Sequence, residues 1–222
     1  MDKIKKIWAE YGWLLVITAV VILLQTAVGV ALWDRLPDTV ATHFDINGDP
    51  DGWSSKAFAV FGLPAFLVMV HLLCTFGTTM DPKRKNIQDK MFKLVLWIIP
   101  VISVIVCGGT YFHALGYEVD IARIAGILVG VMFIIIGNYL PKCRQSYTMG
   151  IKLPWTLHDE ENWNATHRFG GWLWMAGGVV FLAMAAAGRM NTILTLALIA
   201  AMVLLPTAYS YLYYRRHRGE EE

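Results

Sequence analysis

Long apolar segments alternate with short polar segments along most of this chain. A helix that crosses the hydrocarbon core of a bilayer needs about 20 predominantly apolar residues. Six windows meet this requirement, namely residues 13–33, 57–77, 94–115, 123–140, 171–187 and 193–214. Because lipid offers no hydrogen-bond partner to backbone groups, segments of this kind form helices. The pattern predicts an all-α integral membrane protein with six transmembrane helices.

The composition agrees with the bilayer as the solvent of this chain. Of the 222 residues, 56% are hydrophobic and 16% are charged, whereas about a quarter of the residues in soluble domains are charged. Fifteen of the 19 Lys and Arg residues fall on the side of the N-terminus if the six windows cross in turn. Cytoplasmic loops carry such an excess, so both termini are predicted to be cytoplasmic. The net charge of +2 follows from this topology and indicates no nucleic-acid partner.

Two polar segments between the windows are long enough to carry function. The outer segment, residues 34–56, is rich in Asp and contains several turn signals. The inner segment, residues 138–170, is dense in Trp and His, which favours an ordered structure over a solvated linker. We therefore divide the chain into an N-terminal membrane domain, residues 1–90, and a second membrane domain, residues 91–222.

A short amphipathic helix is predicted inside the inner segment, from about Leu157 to Thr166. Thr156 would cap it, and the acidic residues that follow suit the first turn of a helix. The i, i+4 spacing places Trp163 and His167 on one face. Since Trp is a common anchor at the headgroup level, an interfacial helix is the simplest interpretation.

Within the predicted spans, two features indicate how the helices pack. Gly126 and Gly130 form a small-xxx-small pattern that lets one helix approach another closely. His71 lies deep in the second window, where a neutral imidazole bonded to a neighbouring helix is the favoured interpretation. No Asp, Glu, Lys or Arg lies at the centre of a window, which argues against an ion-coupled transporter.

The outer segment carries oxygen-bearing side chains at alternate positions from Asp45 to Asp51, as calcium loops do. The calcium-loop pattern is incomplete in either register, and turns formed by Asn and Asp side chains explain the same residues more simply. No metal is therefore predicted. A polar lid that recognises an extracellular ligand is the remaining interpretation. Its candidate ligand-binding residues are His43, Phe44, Asp45, Asn47, Asp49, Asp51 and Trp53.

The inner segment leaves an enzymatic alternative open. His158, Glu161 and His167 offer the ligand types of a metal-dependent hydrolase embedded in the membrane. The chain has neither a His-Glu-x-x-His motif nor a Gly-x-Ser-x-Gly motif. We therefore predict no enzyme, no catalytic residue and no cofactor. A transporter of small molecules or lipids is the other alternative.

Three stretches of the inner segment closely resemble the signature of the SdpI immunity-protein family. They are Asn138-Tyr-Leu-Pro-Lys, Gly150-Ile-Lys-Leu-Pro-Trp-Thr-Leu and Trp163-Asn-Ala-Thr-His-Arg-Phe-Gly-Gly. The outer stretch from Leu36 to Trp53 resembles a domain of unknown function that often precedes this family. The resemblance implies a cytoplasmic motif of Asn138, Pro141, Lys142, Pro154, Trp155, Thr156, Glu161, Trp163, His167 and Arg168.

The resemblance implies a multi-pass protein of the bacterial cell membrane. The namesake members of the family protect a producer cell from a secreted peptide toxin and are implicated in signalling to a cytoplasmic repressor. We therefore expect immunity or toxin resistance as the function. The expected partners are the lipid bilayer, a secreted peptide toxin outside the cell and a transcriptional repressor inside it.

The predicted orientation can be tested with a reporter enzyme that is active only in the cytoplasm. Because basic residues favour the cytoplasmic side, the reporter should be active when it is fused after Lys85, Lys152 or Glu222. It should be inactive when it is inserted at Gly48. Activity at Gly48 together with silence at Lys85 would reverse the assignment.

Overall fold

The computed structural model describes residues 2–218, and six helices in this range are long and apolar enough to cross a membrane. The helices are α1 (Asp2–Ala31), α2 (Leu63–Met80), α3 (Asp89–Ala114), α4 (Ile121–Tyr139), the short α5 (Pro154–His158), α6 (Glu160–Ala186) and α7 (Thr192–Arg218). All except α5 are the candidate spans. The predicted six-span helical membrane fold is confirmed, and the orientation of the termini stays a prediction.

The helix of the fifth span begins at Glu160, well before the predicted start at residue 171. The separate helix predicted from Leu157 to Thr166, with Thr156 as its cap, is wrong. Asp159 is the cap instead, because its carboxylate accepts hydrogen bonds from the backbone N–H groups of Glu161 (2.8 Å) and Asn162 (3.0 Å). The acidic residues therefore occupy the first turn of α6, where the helix dipole favours them.

Packing divides the described residues into two compact units. The first contains residues 2–80 and 89–122, and the second contains residues 81–88 and 123–218. The connector between α2 and α3 is thus part of the second unit, although both helices belong to the first. The division of the chain into two membrane domains at residue 90 stays a prediction.

In the first unit, α1, α2 and α3 pack around a common apolar core. Buried members of this core are Ile22, Leu36, Val60, Leu67, Cys107 and Tyr111. The hydroxyl of Tyr111 lies 3.1 Å from the carbonyl oxygen of Gln25 and 3.3 Å from that of Ala59. It therefore links α3 to α1 and to the turn of π-helix, Phe58–Gly62, that leads into α2.

His71 on α2 pairs with α1 inside this unit. Its side chain is buried, and its Nε2 lies 3.1 Å from the hydroxyl oxygen of Thr18. The Thr18 hydroxyl lies 2.9 Å from the carbonyl oxygen of Leu14. Since that hydroxyl donates to the carbonyl, it accepts from the His71 ring. The predicted hydrogen bond of His71 to a neighbouring helix is confirmed.

A β-hairpin, which the sequence analysis did not predict, follows α1. Strands β1 (Thr39–Phe44) and β2 (Pro50–Ser55) pair antiparallel, with an irregularity around His43. Val40 and Ala41 are buried, and the ring of Phe44 meets that of His113 on α3 edge-on, with centroids 5.1 Å apart. The hairpin is therefore held against the helices of the first unit.

In the second unit, glycines bring α4 against α6. A Cβ atom at Gly130 would lie 2.9 Å from the backbone nitrogen of Leu182, and one at Gly137 would lie 2.7 Å from that of Met175. A Cβ atom at Gly126 would lie 2.8 Å from Ala185. The close packing predicted for Gly126 and Gly130 is confirmed, and it continues to Gly137.

Candidate functional site

Residues 140–159, here called the inner loop, fold against the first turns of α6 in the second unit. The indole nitrogen of Trp163 donates to the carbonyl oxygen of Cys143 at 2.7 Å. The backbone N–H of Ile151 donates to Nε2 of His167 at 2.8 Å. Both Trp163 and His167 are 0% exposed. The interpretation of Trp163 as an anchor among lipid headgroups is therefore wrong, because the inner loop covers it.

The His167 ring is fixed as one neutral tautomer by its two backbone partners. Nε2 must accept, because its partner at Ile151 is an N–H group. Nδ1 lies 2.7 Å from the carbonyl oxygen of Trp163 and must therefore carry the hydrogen. The ring also stacks on the Trp163 indole, with centroids 4.0 Å apart. Neither nitrogen is left to bind a metal or to move a proton.

Gly150 allows this stack to be covered. Its φ of +104° lies in the region that glycine adopts most readily. A Cβ atom there would meet Nε2 of His167 and would lie 2.9 Å from the six-membered ring of Trp163. Glycine is therefore required at this position both by backbone conformation and by space.

Thr156 stabilises the inner loop from a buried position and does not cap a helix that begins at Leu157. The Thr156 side chain is fully buried. Its hydroxyl accepts from the backbone N–H of Leu153 at 2.9 Å and lies 3.0 Å from the carbonyl oxygen of Ile151. The segment between Ile151 and α5 is thus tied to the first turn of α5.

A buried polar network joins α5, α6 and α7. The amide of Asn162 donates to the carbonyl oxygen of Ser210 at 3.1 Å and accepts from the Ser210 hydroxyl at 2.7 Å. The amide oxygen of Asn162 also accepts from Thr166 at 2.9 Å, and Trp155 Nε1 donates to the Ser210 hydroxyl at 2.8 Å. Sequence reasoning found only Trp155. The available signal was the polar i, i+4 pair at the start of α6.

Asp81 is a further residue that sequence reasoning missed. It is 1% exposed, and Oδ2 accepts from the backbone N–H groups of Tyr147 and Thr148, both at 2.9 Å, and from the Thr148 hydroxyl at 2.6 Å. Oδ1 accepts from the backbone N–H of Lys83 at 2.7 Å. The carboxylate thus binds the connector, residues 81–88, to the inner loop. The sequence signal was an Asp-Pro turn directly after a span.

Gln145 extends this connection from the connector to α5. Its side-chain oxygen accepts from Lys83 Nζ at 2.8 Å, and its backbone carbonyl accepts from the Asn86 amide at 2.7 Å. Its side-chain nitrogen donates to the carbonyl oxygen of Thr156 at 2.9 Å. We call the bonds made by Asp81 and Gln145 the connector clasp.

The predicted motif residues fall into two groups. Thr156, Trp163 and His167 are buried, and Trp155 is half-buried, so these four build the inner loop. The exposed members are Asn138, Pro141, Lys142, Pro154, Glu161 and Arg168. Within the exposed group, Lys142 Nζ donates to the side-chain oxygen of Asn138 at 3.1 Å. The exposed group is the part of the motif that a partner can touch.

The three residues of the hydrolase alternative do not form a site. His158 is exposed, and its Nδ1 lies 2.6 Å from the carbonyl oxygen of Pro154. His167 is buried and occupied as described, whereas Glu161 is exposed in the first turn of α6. In the part of the chain that the structure describes, no group of three or more His, Cys, Asp or Glu side chains is placed to hold a metal ion.

The candidate ligand-binding residues of the outer segment also include residues that shape the structure and residues that are exposed. Asp45 shapes the hairpin turn, because its carboxylate accepts from the backbone N–H groups of Asn47 and Asp49, both at 2.9 Å. Hydrogen bonds from the backbone, first from Asp49, hold the pKa of Asp45 below its usual range. His43 pairs with Asp51, and their side chains are 74% and 49% exposed. The ring of Trp53 is 58% exposed.

Comparison with known proteins confirms the resemblance found in the sequence. Residues 142–210 match the SdpI/YfhL protein family, and residues 20–68 match a domain of unknown function, DUF1648. The chain is similar to the protein named Immunity protein SdpI of Bacillus subtilis (strain 168). The two are 24% identical over 210 residues, which cover 92% of this chain and 97% of that protein. No solved structure matches the chain.

Because Asp81 is central to the connector clasp, we expect Asp81→Asn to lower the stability of the protein more than a matched Asp→Asn substitution elsewhere. Asp81→Asn leaves a single oxygen and places an amide nitrogen among buried donors, so we expect the protein to lose about 3 kcal/mol of stability. Asp159→Asn is the matched control, because Asn and Asp cap helices about equally well. Thermal unfolding in detergent should show a lower Tm for Asp81→Asn alone. Equal Tm values for the two variants would contradict the role given to Asp81.

Proposed function

We propose that this SdpI-type protein, a multi-pass protein of the bacterial cell membrane, makes its cell resistant to a secreted peptide toxin. The observation that carries the proposal is the similarity to an immunity protein over 92% of this chain and 97% of that protein. The match to the SdpI/YfhL family at residues 142–210 contains most of the inner loop and the buried residues Trp163 and His167 of α6. Six helices suited to spanning a membrane agree with the same role.

The outer hairpin is the surface we assign to toxin recognition. Val40 and Ala41 of the hairpin are buried, and the ring of Phe44 packs against His113 of α3. The hairpin also exposes His43, Asp51 and Trp53 to solvent. A large aromatic side chain on a rigid support, flanked by charges, is the composition that binding hot spots favour. These residues can therefore contact a peptide at a low cost in ordering.

The inner loop is the surface we assign to a cytoplasmic repressor. The exposed motif residues in this loop and on the adjoining part of α6 include Lys142, Glu161 and Arg168, which carry charges of both signs. The buried residues hold the loop in one shape, so the exposed ones keep a fixed arrangement. A repressor that reads the state of the protein would contact these exposed side chains.

The connector offers a route between the two surfaces. It is continuous in the chain with α2 and α3, the helices of the unit that carries the hairpin, and Asp81 and Gln145 bind it to the inner loop. Signalling requires that toxin binding favour one state of such a shared element over another. A displacement of the connector would change the backbone positions of Tyr147 and Thr148.

Survival of a toxin-sensitive bacterium that expresses the protein tests the proposal. Trp53→Ala and His43→Ala should each lower survival while the protein stays at normal abundance in the membrane. For Trp53 we expect toxin binding to weaken about 30-fold, which is typical of a hot-spot Trp. Tyr117→Ala is the matched control, because Tyr117 is an exposed aromatic residue in another loop on the side assigned to the hairpin.

Membrane abundance measured in the same cells separates a functional effect from misfolding. His167→Ala is expected to lower abundance and survival together, because it removes the support of the inner loop. If Trp53→Ala and His43→Ala also lose survival only in proportion to abundance, the hairpin is not the recognition surface. If expression of the wild-type chain gives no survival advantage, the immunity function itself is wrong.

A further inference from the structure

A groove of about 620 Å³ lies between α1 and α2 in the first unit. Trp8 and Leu15 line it from α1, and Leu72 and Phe76 line it from α2. Along α2 the lining extends over residues 65–79, which is about 21 Å at 1.5 Å per residue. Since a bilayer with its headgroup regions is about 40–45 Å thick, the groove has about the length of one lipid leaflet with its headgroup.

The face of α1 that lines one end of the groove also carries a cation, Lys5. Trp8 is 60% exposed, and exposed Trp side chains are enriched where the bilayer meets water. Lys5 precedes Trp8 by three residues on α1, so both lie on the same face of the helix. The Lys5 side chain is exposed. A phosphate at this end of the groove would therefore meet a positive charge.

A buried hydroxyl lies within the groove without a partner among residues 2–218. Thr75 lines the groove and is 9% exposed, and its Oγ1 makes no hydrogen bond in that part of the chain. Buried hydroxyl groups normally find a partner. Thr75 lies one helical turn deeper than Thr79, about 6 Å along the axis. An ester carbonyl below a lipid headgroup would accept from it at this depth.

We propose that this groove binds one anionic phospholipid. One acyl chain lies between Leu15 and Leu72, the ester carbonyl accepts from Thr75, and the phosphate lies near Lys5. Nine of the eleven residues that line the groove are apolar, which suits an acyl chain. This site is independent of toxin recognition.

Native mass spectrometry of the full-length protein tests the site. The protein is reconstituted into vesicles of equal phosphatidylglycerol and phosphatidylcholine and then extracted in detergent. The wild-type protein should retain one phospholipid and prefer phosphatidylglycerol about fivefold, the effect of one basic residue at an anionic surface. Ala65→Phe, which fills the groove, should lose this lipid. Ala125→Phe is the matched control at an exposed alanine of α4, and it should retain the lipid.

Two further substitutions test the polar contacts without filling the groove. Thr75→Val keeps the shape of the side chain and should weaken retention, even if Ala65→Phe fails to fold. Lys5→Ser should keep the lipid but lose the preference for phosphatidylglycerol, whereas Lys90→Ser at an exposed lysine of α3 should keep it. Wild-type retention in Ala65→Phe or Thr75→Val would overturn the site. An unchanged preference in Lys5→Ser would overturn the choice of an anionic lipid.

Discussion

The folded inner loop depends on the imidazole of His167, held between two backbone groups. The ring accepts from the N–H of Ile151 and donates to the carbonyl oxygen of Trp163. These bonds fix the middle of the loop over the start of α6, where a membrane helix would otherwise expose a row of polar side chains. The stack on Trp163 and the absence of a side chain at Gly150 follow from the same arrangement.

The connector clasp adds a second constraint at the same loop. A buried carboxylate is costly unless its oxygens are hydrogen-bonded, and Asp81 satisfies this requirement with backbone groups of Lys83, Tyr147 and Thr148. The clasp therefore fixes the connector and the inner loop to each other. The signalling proposed above requires an element whose state both surfaces can influence, and the connector is our candidate.

The bilayer explains why the six spans could be predicted from the sequence. Span length is set by membrane thickness, so apolar windows are sufficient to find the helices. The spacing of Gly126 and Gly130 was also sufficient to predict that α4 packs closely against another helix. The spacing of Trp163 and His167 did not reveal that Trp163 is buried, because the same i, i+4 pattern fits an interfacial anchor and a buried stack equally well. Which of these forms depends on residues 143 and 151, which are distant in sequence.

The remaining misses have the same physical origin. The partners of Asp81 in the inner loop lie 66 and 67 positions away in the chain, so no local pattern indicates them. The strands of the hairpin are only six residues long and lack a clear alternation of apolar and polar positions. The roles of the ligand-binding and motif residues stay predictions, because burial identifies which side chains build a surface and not what that surface binds.

Hydrogen–deuterium exchange at Ile151 is the most direct measurement of the central interaction. It should be made on the full-length protein in detergent, in the wild type and in His167→Phe, which keeps a ring to stack on Trp163 but has no nitrogen to accept a hydrogen bond. The amide of Ile151 should be protected in the wild type and should exchange about tenfold faster in His167→Phe, while α4 and α7 stay protected. Equal protection of Ile151 in both proteins would contradict the role of His167.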